Sequence, residues 1–229
     1  MHALVHALAD IFFPRLCPAC GRNLLRHERM LCQPCQFRLP RTAFHDMVGN
    51  PLEQLFAGRY QAGAVTSFLF FTKSGMVQRS LHQLKYNGAK ELGHYLGFNF
   101  GEELRTSYRF REVELVAPVP LHWEKLRLRG YNQSEWIAKG VGEAMGIQVV
   151  PNLLERVKAT ATQTRKGRLE RWENVAEAFA ASKQLRSGAR VLLVDDVLTT
   201  GATLEACARA LDAVTGRPSY LATLACAVR

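Results

Sequence analysis

The stretch Val191-Leu192-Leu193-Val194-Asp195-Asp196-Val197-Leu198-Thr199-Thr200-Gly201-Ala202-Thr203 decides how this 229-residue chain folds. Val191 to Val194 is a short, continuous apolar run framed by β-branched side chains. Such a run reads as a strand buried on both faces, as in a parallel sheet. Two carboxylates follow directly, then a loop of small residues, then an amphipathic helix. In that helix Leu204, Cys207, Leu211 and Val214 fall on one face, and Glu205 sits four before Arg209 on the other.

A strand, a loop and a helix in this order place backbone N–H groups at a helix start. Together with the helix dipole they form an anion site. Gly201 lets the backbone approach a phosphate, and Thr199, Thr200 and Thr203 add hydroxyl donors. Asp195 and Asp196 are acceptors at the carboxyl end of the strand, where open α/β sheets bind ligands. A ligand with a phosphate and a nearby pair of hydroxyls is a ribose 5-phosphate. The competing reading is that Asp196 or Thr199 merely caps a helix. The full run resembles the 5-phosphoribosyl-1-pyrophosphate (PRPP) motif of type I phosphoribosyltransferases. That resemblance implies that Asp195 and Asp196 hold the ribose 2′ and 3′ hydroxyls. It also implies that Thr199, Thr200, Gly201, Ala202 and Thr203 cradle the 5′-phosphate.

The length suits one α/β domain plus a small appendage. The formal charge is +10. Residues 1–58 hold six Lys/Arg against four Asp/Glu, so most of the excess lies beyond them. This balance favours polyanions: pyrophosphate, nucleic acid or anionic lipid. No apolar run reaches transmembrane length. The hydrophobic start, Met1 to Phe13, lacks a basic lead and is interrupted by Asp10, so it does not read as a signal peptide. Leu4, Leu8, Ile11 and Phe12 share a helical face instead, and the cytoplasm is the expected compartment.

Four of the six cysteines form Cys17-Pro-Ala-Cys20 and Cys32-Gln-Pro-Cys35. Each pair is a knuckle that points two thiolates at one metal, with Gly21 easing the first turn. Four thiolates suit Zn²⁺ in a closed, structural site. Disulfides or redox thiols are the alternatives, disfavoured in a basic cytosolic chain. His27, between the pairs, could replace a ligand but reads better as a solvated loop residue. Cys207 and Cys226 read as buried packing residues.

Between these landmarks the patterns predict a short helix at Leu52–Phe56, a strand at Ala64–Thr72 and helices at Ser74–Tyr86 and Leu92–Leu104. A second apolar strand follows at Leu115–Pro120. Lys85 reads as a solvated charge at a helix C-terminus in preference to a ligand contact. After the second strand comes Pro120-Leu121-His122-Trp123-Glu124-Lys125-Leu126-Arg127-Leu128-Arg129-Gly130-Tyr131-Asn132-Gln133-Ser134, read as a basic loop before a helix at Ser134–Met145. Such a loop at a strand's carboxyl end suits a second phosphate group, with Lys125, Arg127, Arg129, Gly130, Asn132 and Gln133 as candidates. A merely solvated basic loop is the alternative. From Arg156 to Arg171 there are six Lys/Arg and one Glu. That segment, including Gln163 and Arg171, reads as a mobile basic loop able to close over pyrophosphate. Strands at Arg190–Val194 and Tyr220–Ala227 complete the sheet.

Taken in order, the paired CxxC motifs, Leu84-Lys85-Tyr86, Val119-Pro120-Leu121-His122, Arg129-Gly130-Tyr131-Asn132-Gln133, Thr162-Gln163 with Arg171, Asn174 and Ala178-Phe179, and the run at 191–203 resemble the ComF/GntX family. Tyr131 stands where that family usually has phenylalanine. The resemblance implies a type I phosphoribosyltransferase fold over 51–229, a mostly parallel sheet flanked by helices, behind a four-cysteine zinc module within 1–50. It implies a Mg²⁺-dependent phosphoribosyltransferase and a link to natural competence and its DNA-uptake machinery. Asp195, Asp196, Arg129 and Lys125 would then be the catalytic set. Single-stranded DNA is an expected second ligand of the same basic cleft, with Trp123, Trp136, Trp172 and Tyr131 as base-stacking candidates. The alternatives are a non-catalytic single-stranded-DNA-binding protein and a PRPP-sensing regulator.

Overall fold

The computed structural model describes residues 14–157, 179–182 and 185–227. The expected helix at the start of the chain, Gln163, Arg171 and most of the basic segment around them lie outside these residues.

The core is a five-stranded, all-parallel sheet in the order β1-β7-β6-β2-β3. The strands are β1 (Val65–Phe70), β2 (Leu115–Pro118), β3 (Gln148–Val149), β6 (Val191–Leu198) and β7 (Tyr220–Cys226). A separate antiparallel pair, β4 (Leu154–Arg156) with β5 (Phe179–Ala181), stands apart from it. All of β7, and β6 through Val194, are buried, as a two-sided parallel strand requires.

The helices in chain order are α1 (Gln33–Phe37), α2 (Pro51–Phe56), α3 (Met76–Tyr86), α4 (Lys90–Thr106), α5 (Trp123–Arg129), α6 (Gln133–Met145) and α7 (Ala202–Thr215). Helix α6, through Ile137, Ala138 and Val141, joins the apolar cluster on one side of the sheet together with α3 and α4. Helix α7, through Leu204, Cys207 and Leu211, joins the cluster on the other side. The connection after β2 therefore leaves to one face and the connection after β6 to the other. Adjacent parallel strands with that property define a switch point, and a crevice opens at their carboxyl ends. Asp195 and Asp196 lie at that end of β6.

Three expectations need correction. Strand β6 does not stop at Val194: it pairs with β7 through Asp195, Val197 and Leu198, so both acids belong to the strand. The segment after β2 is not a loop but helix α5. His122 caps it by accepting the Glu124 N–H at Nδ1, and Gly130 ends it in the left-handed region at φ 76°. The sequence hid this helix because none of its residues is buried, so it carries no apolar stripe. Finally, Glu205 does pair with Arg209, but it lies buried and not on an outer face. Cys207 and Cys226 are both fully buried, as expected.

The cysteine knuckles do not form an isolated lobe. Cys17, Ala19, Leu31, Cys32 and Cys35 share one apolar cluster with Val77, Leu81 and Leu84 of α3. Arg79 of α3 donates from Nε to the Ala19 carbonyl at 2.6 Å. Glu28 pins the loop between the knuckles by accepting the Leu25 and Gln33 N–H groups and Arg22.

Helices α4 and α6 meet at glycines. A Cβ on Gly140 would lie 2.1 Å from the His94 carbonyl oxygen, and one on Gly97 would lie 2.2 Å from that of Ile137. Here the two backbones touch directly, and this contact sets where the amino end of α6 sits.

Candidate functional site

The crevice is built from three directions. From β6 come Asp195 and Asp196. From the first turn of α6 comes Ser134, whose hydroxyl donates to Asp195 Oδ1 at 2.8 Å. The same oxygen accepts the Asp196 N–H at 2.8 Å. From the last turn of α3 comes Lys85, whose ammonium lies 2.8 Å from Asp196 Oδ2. Lys85 is thus no solvated helix-end charge: its side chain is 24% exposed and that of Asp196 is 16%.

The two carboxylates differ. Burial, then the neighbouring Asp196 charge, push Asp195 up from 3.8 to about 7, against the opposing pull of Ser134, the Asp196 N–H and Lys85. The folded protein therefore keeps a proton on Asp195 at pH values where the unfolded chain has lost it. Stability falls as pH rises between roughly 4 and 7, and the unfavourable charge is fully present above that window. Asp195→Asn is expected to raise the melting temperature at pH 8 by about 4–8 °C, corresponding to about 2 kcal/mol, and to leave it nearly unchanged at pH 4. Thermal melts at the two pH values check this; equal shifts at both would contradict it.

The phosphate-loop candidates surround the start of α7. Thr199, Thr200 and Thr203 are exposed, Ala202 is half-buried and Gly201 is buried. Gly201 is the residue before the helix, at φ 79°, and the Phe56 ring lies against it, 2.7 Å from where a Cβ would stand. Both facts exclude a side chain there. The first N–H groups of α7 have no partner within the helix and point at the loop. Sequence reasoning missed how the loop is held from behind. Arg59 donates to the Thr200 carbonyl at 3.4 Å and lies 3.8 Å from Glu205, and Arg209 pairs with Glu205 at 3.0 Å. A buried acid in the first turn of an anion-binding helix would oppose the anion, and these two arginines offset it.

The Arg129-Gly130-Tyr131-Asn132-Gln133 segment holds the crevice together. Asn132 uses both ends of its amide on the fold: Oδ1 caps α6 at the Ser134 N–H, and Nδ2 donates to the Val119 carbonyl at 2.9 Å. The Tyr131 hydroxyl donates to the Leu84 carbonyl, so Tyr131 is buried and no stacking platform. Arg129 donates from Nη1 to Gln133 Oε1 at 2.9 Å and stacks on Tyr86. Among the described residues, Arg129 Nε and Gln133 Nε2 are buried donors without an acceptor. Lys125 and Arg127 stand exposed on α5, apart from these bonds. Trp123 is exposed too, while Trp136 is half-buried beside Lys90 and Lys139; Trp172 lies outside the described residues.

In the amino-terminal module the sulfur atoms of Cys17, Cys20, Cys32 and Cys35 lie within 4.8 Å of one another. Cys20 Sγ and Cys32 Sγ are 3.6 Å apart. Zn–S bonds of about 2.3 Å in a tetrahedron put sulfurs about 3.8 Å apart, so the donor set fits zinc. The Cys32 N–H points at Cys17 Sγ at 3.4 Å. His27 is exposed and outside the cluster.

This sheet order, with an acid pair and a threonine loop at the switch point, is the architecture of the type I phosphoribosyltransferase fold. The phosphoribosyl transferase domain family matches residues 137–228. Competence protein F of Haemophilus influenzae is 29% identical over 205 residues, covering 84% of this chain and 89% of that protein. Competence protein ComFC of Bacillus subtilis is 26% identical over 223 residues, covering 92% and 90%. DNA utilization protein YhgH of Salmonella typhimurium is 30% identical over 138 residues, covering 57% and 59%. The chain is thus similar to competence protein F and to ComFC over most of its length.

Proposed function

We propose that the crevice between β2 and β6 binds PRPP together with magnesium, and that the chain is a phosphoribosyltransferase acting in the cellular handling of imported DNA. The observation that carries this reading is the acid pair at the switch point, beside an exposed threonine loop at the start of α7. The first supplies acceptors for a sugar's two hydroxyls, the second donors for its 5′-phosphate. The relatives' names, two for competence and one for DNA utilization, support the setting, and the cytoplasm is the compartment that fits it.

In this mechanism Asp195 and Asp196 orient the ribose and favour the positive charge that develops at the anomeric carbon. The bond from that carbon to pyrophosphate breaks, its electron pair leaves with pyrophosphate, and an acceptor's lone pair takes its place. The buried donors Arg129 Nε and Gln133 Nε2, lacking protein acceptors among the described residues, support an anionic neighbour on the α6 side. Lys125 and Arg127 on α5, and Arg171 and Gln163 in the segment beyond, add charge and donors for the leaving group. Magnesium, when bound with the ligand beside the two carboxylates, supplies neutralisation of the pyrophosphate. Zinc in the four-cysteine module serves structure alone.

Calorimetry with PRPP and magnesium tests the reading. The wild type is expected to bind, and Asp195→Asn/Asp196→Asn to bind at least about a hundredfold more weakly, since two charge-assisted contacts of roughly 1.5–3 kcal/mol each are lost. Equal binding by both would overturn it. A screen for pyrophosphate release across nucleobases and single-stranded DNA then separates catalysis from binding.

A second reading rests on α5. Trp123 is 61% exposed on the same short helix as Lys125 and Arg127. An aromatic face amid cations suits single-stranded DNA. Steep salt dependence of DNA affinity, with no pyrophosphate release for any acceptor, would favour a DNA-binding protein whose sugar-phosphate pocket is regulatory.

A further inference from the structure

We propose that Lys85 is a built-in counter-cation of the acid pair: its ammonium holds the place on Asp196 that a divalent cation or a sugar hydroxyl would take, and ligands enter by exchange with it. Lys85 is therefore a positioning and specificity-determining residue.

The geometry separates a fixed frame from a movable charge. The last turn of α3 is held in place: Leu84 is fully buried, its carbonyl accepts the Tyr131 hydroxyl, and Leu81 is buried below it. Arg79 anchors the preceding turn to Ala19. The Lys85 stem, by contrast, is flexible and carries a compact charge. The ammonium can leave Asp196 without any backbone movement. Among the described residues the charged or titratable groups acting on the pair are few. Lys85 faces Asp196 from α3, and Cys207 of α7 lies near Asp195, with Ser134 of α6 as its hydrogen-bond donor. Lys85 is thus the ion-pair partner of Asp196, one of two adjacent carboxylates.

Exchange has a consequence for selectivity. A ligand that takes Asp196 must open a partly buried ion pair, which is costly unless the freed ammonium finds a new anion. A sugar that carries pyrophosphate or phosphate offers one. Ribose or a nucleoside offers hydroxyls alone and leaves the ammonium unpaired. Lys85 then selects for phosphorylated sugars against neutral diols. This last step rests on the phosphoribosyl reading; the counter-cation role does not.

The test uses Mn²⁺ alone as the probe, followed by electron paramagnetic resonance on the full chain. Lys85→Met is expected to bind Mn²⁺ at least about tenfold more tightly than wild type, because the pair regains an uncompensated charge. Lys85→Arg is expected to match wild type. Equal Mn²⁺ affinity in wild type and Lys85→Met would overturn the proposal. Should Lys85→Met fail to fold, the Nζ resonance of Lys85 in the wild type decides: it is expected to shift on adding Mg²⁺, and a resonance unmoved at saturating Mg²⁺ would overturn the proposal. A protein that ignores PRPP yet shows the Mn²⁺ gain sinks the phosphoribosyl reading alone. One that binds PRPP with unchanged Mn²⁺ affinity in Lys85→Met sinks this inference alone.

Discussion

Stripping the metal from the four-cysteine module with a tight zinc chelator is expected to lower the melting temperature by about 10 °C or more and to weaken ligand binding at a distance. The energy at stake is large: structural zinc contributes roughly 10–16 kcal/mol in isolated fingers. The module has little else to hold it. Its buried apolar side chains are few, and three of its four cysteines are themselves part of the core it shares with α3. Loss of the metal frees those cysteines, and with them the surface on which Val77, Leu81 and Leu84 rest. Helix α3 then loses packing on one side and the Arg79–Ala19 bond at its start. Its far end carries Lys85. Hydrogen exchange is expected to rise first at residues 17–35 and next at 76–86, while β6 and β7 stay protected. Unchanged exchange at 76–86 after proven metal loss would show that the module is an ornament and not a support.

The second large effect is expected at Gly140→Val. The added Cβ would meet backbone on two sides, 2.1 Å from the His94 carbonyl oxygen and 2.5 Å from the Phe98 nitrogen. No rotamer change relieves a clash with backbone, so α6 must move away from α4. Overpacking costs typically about 1–3 kcal/mol, and a clash between two helix backbones belongs above that range, at about 4 kcal/mol. In a chain of this length that lowers the melting temperature by roughly 10 °C. The displacement also reaches the crevice, because the first turn of α6 carries Ser134 on Asp195. PRPP binding is expected to suffer even at temperatures where the variant is folded. A melting temperature within about 2 °C of wild type would refute the contact.

These two cases show which parts of the molecule could be read from residues in order. The run at 191–203 was legible because continuous apolar β-branched residues, paired acids and a glycine loop restrict what local backbone can do. The paired CxxC motifs were legible because four thiolates at that spacing have few uses. Lys85 was not. Its neighbours in sequence say only that a helix ends there, and its partner Asp196 lies far along the chain on β6. Helix α5 was invisible for the opposite reason: it packs nothing, so no periodicity marks it. The extension of β6 through both acids depended on β7 continuing to pair with it, a fact held by residues 220–226 and not by the strand itself. The role of Asn132 and Tyr131 as struts was likewise hidden, since a polar segment beside a glycine looks the same whether it meets a ligand or its own carbonyls.

The sheet order has a further consequence for how the chain comes into being. Strand β1, early in the sequence, is hydrogen-bonded to β7, which lies near the end of the described chain. During synthesis β1 emerges from the ribosome long before its neighbour exists, with its apolar faces and one edge bare. Such a nascent strand is an invitation to clumping. We expect this protein to need a holding chaperone, or slow growth in the cold, to be produced in quantity.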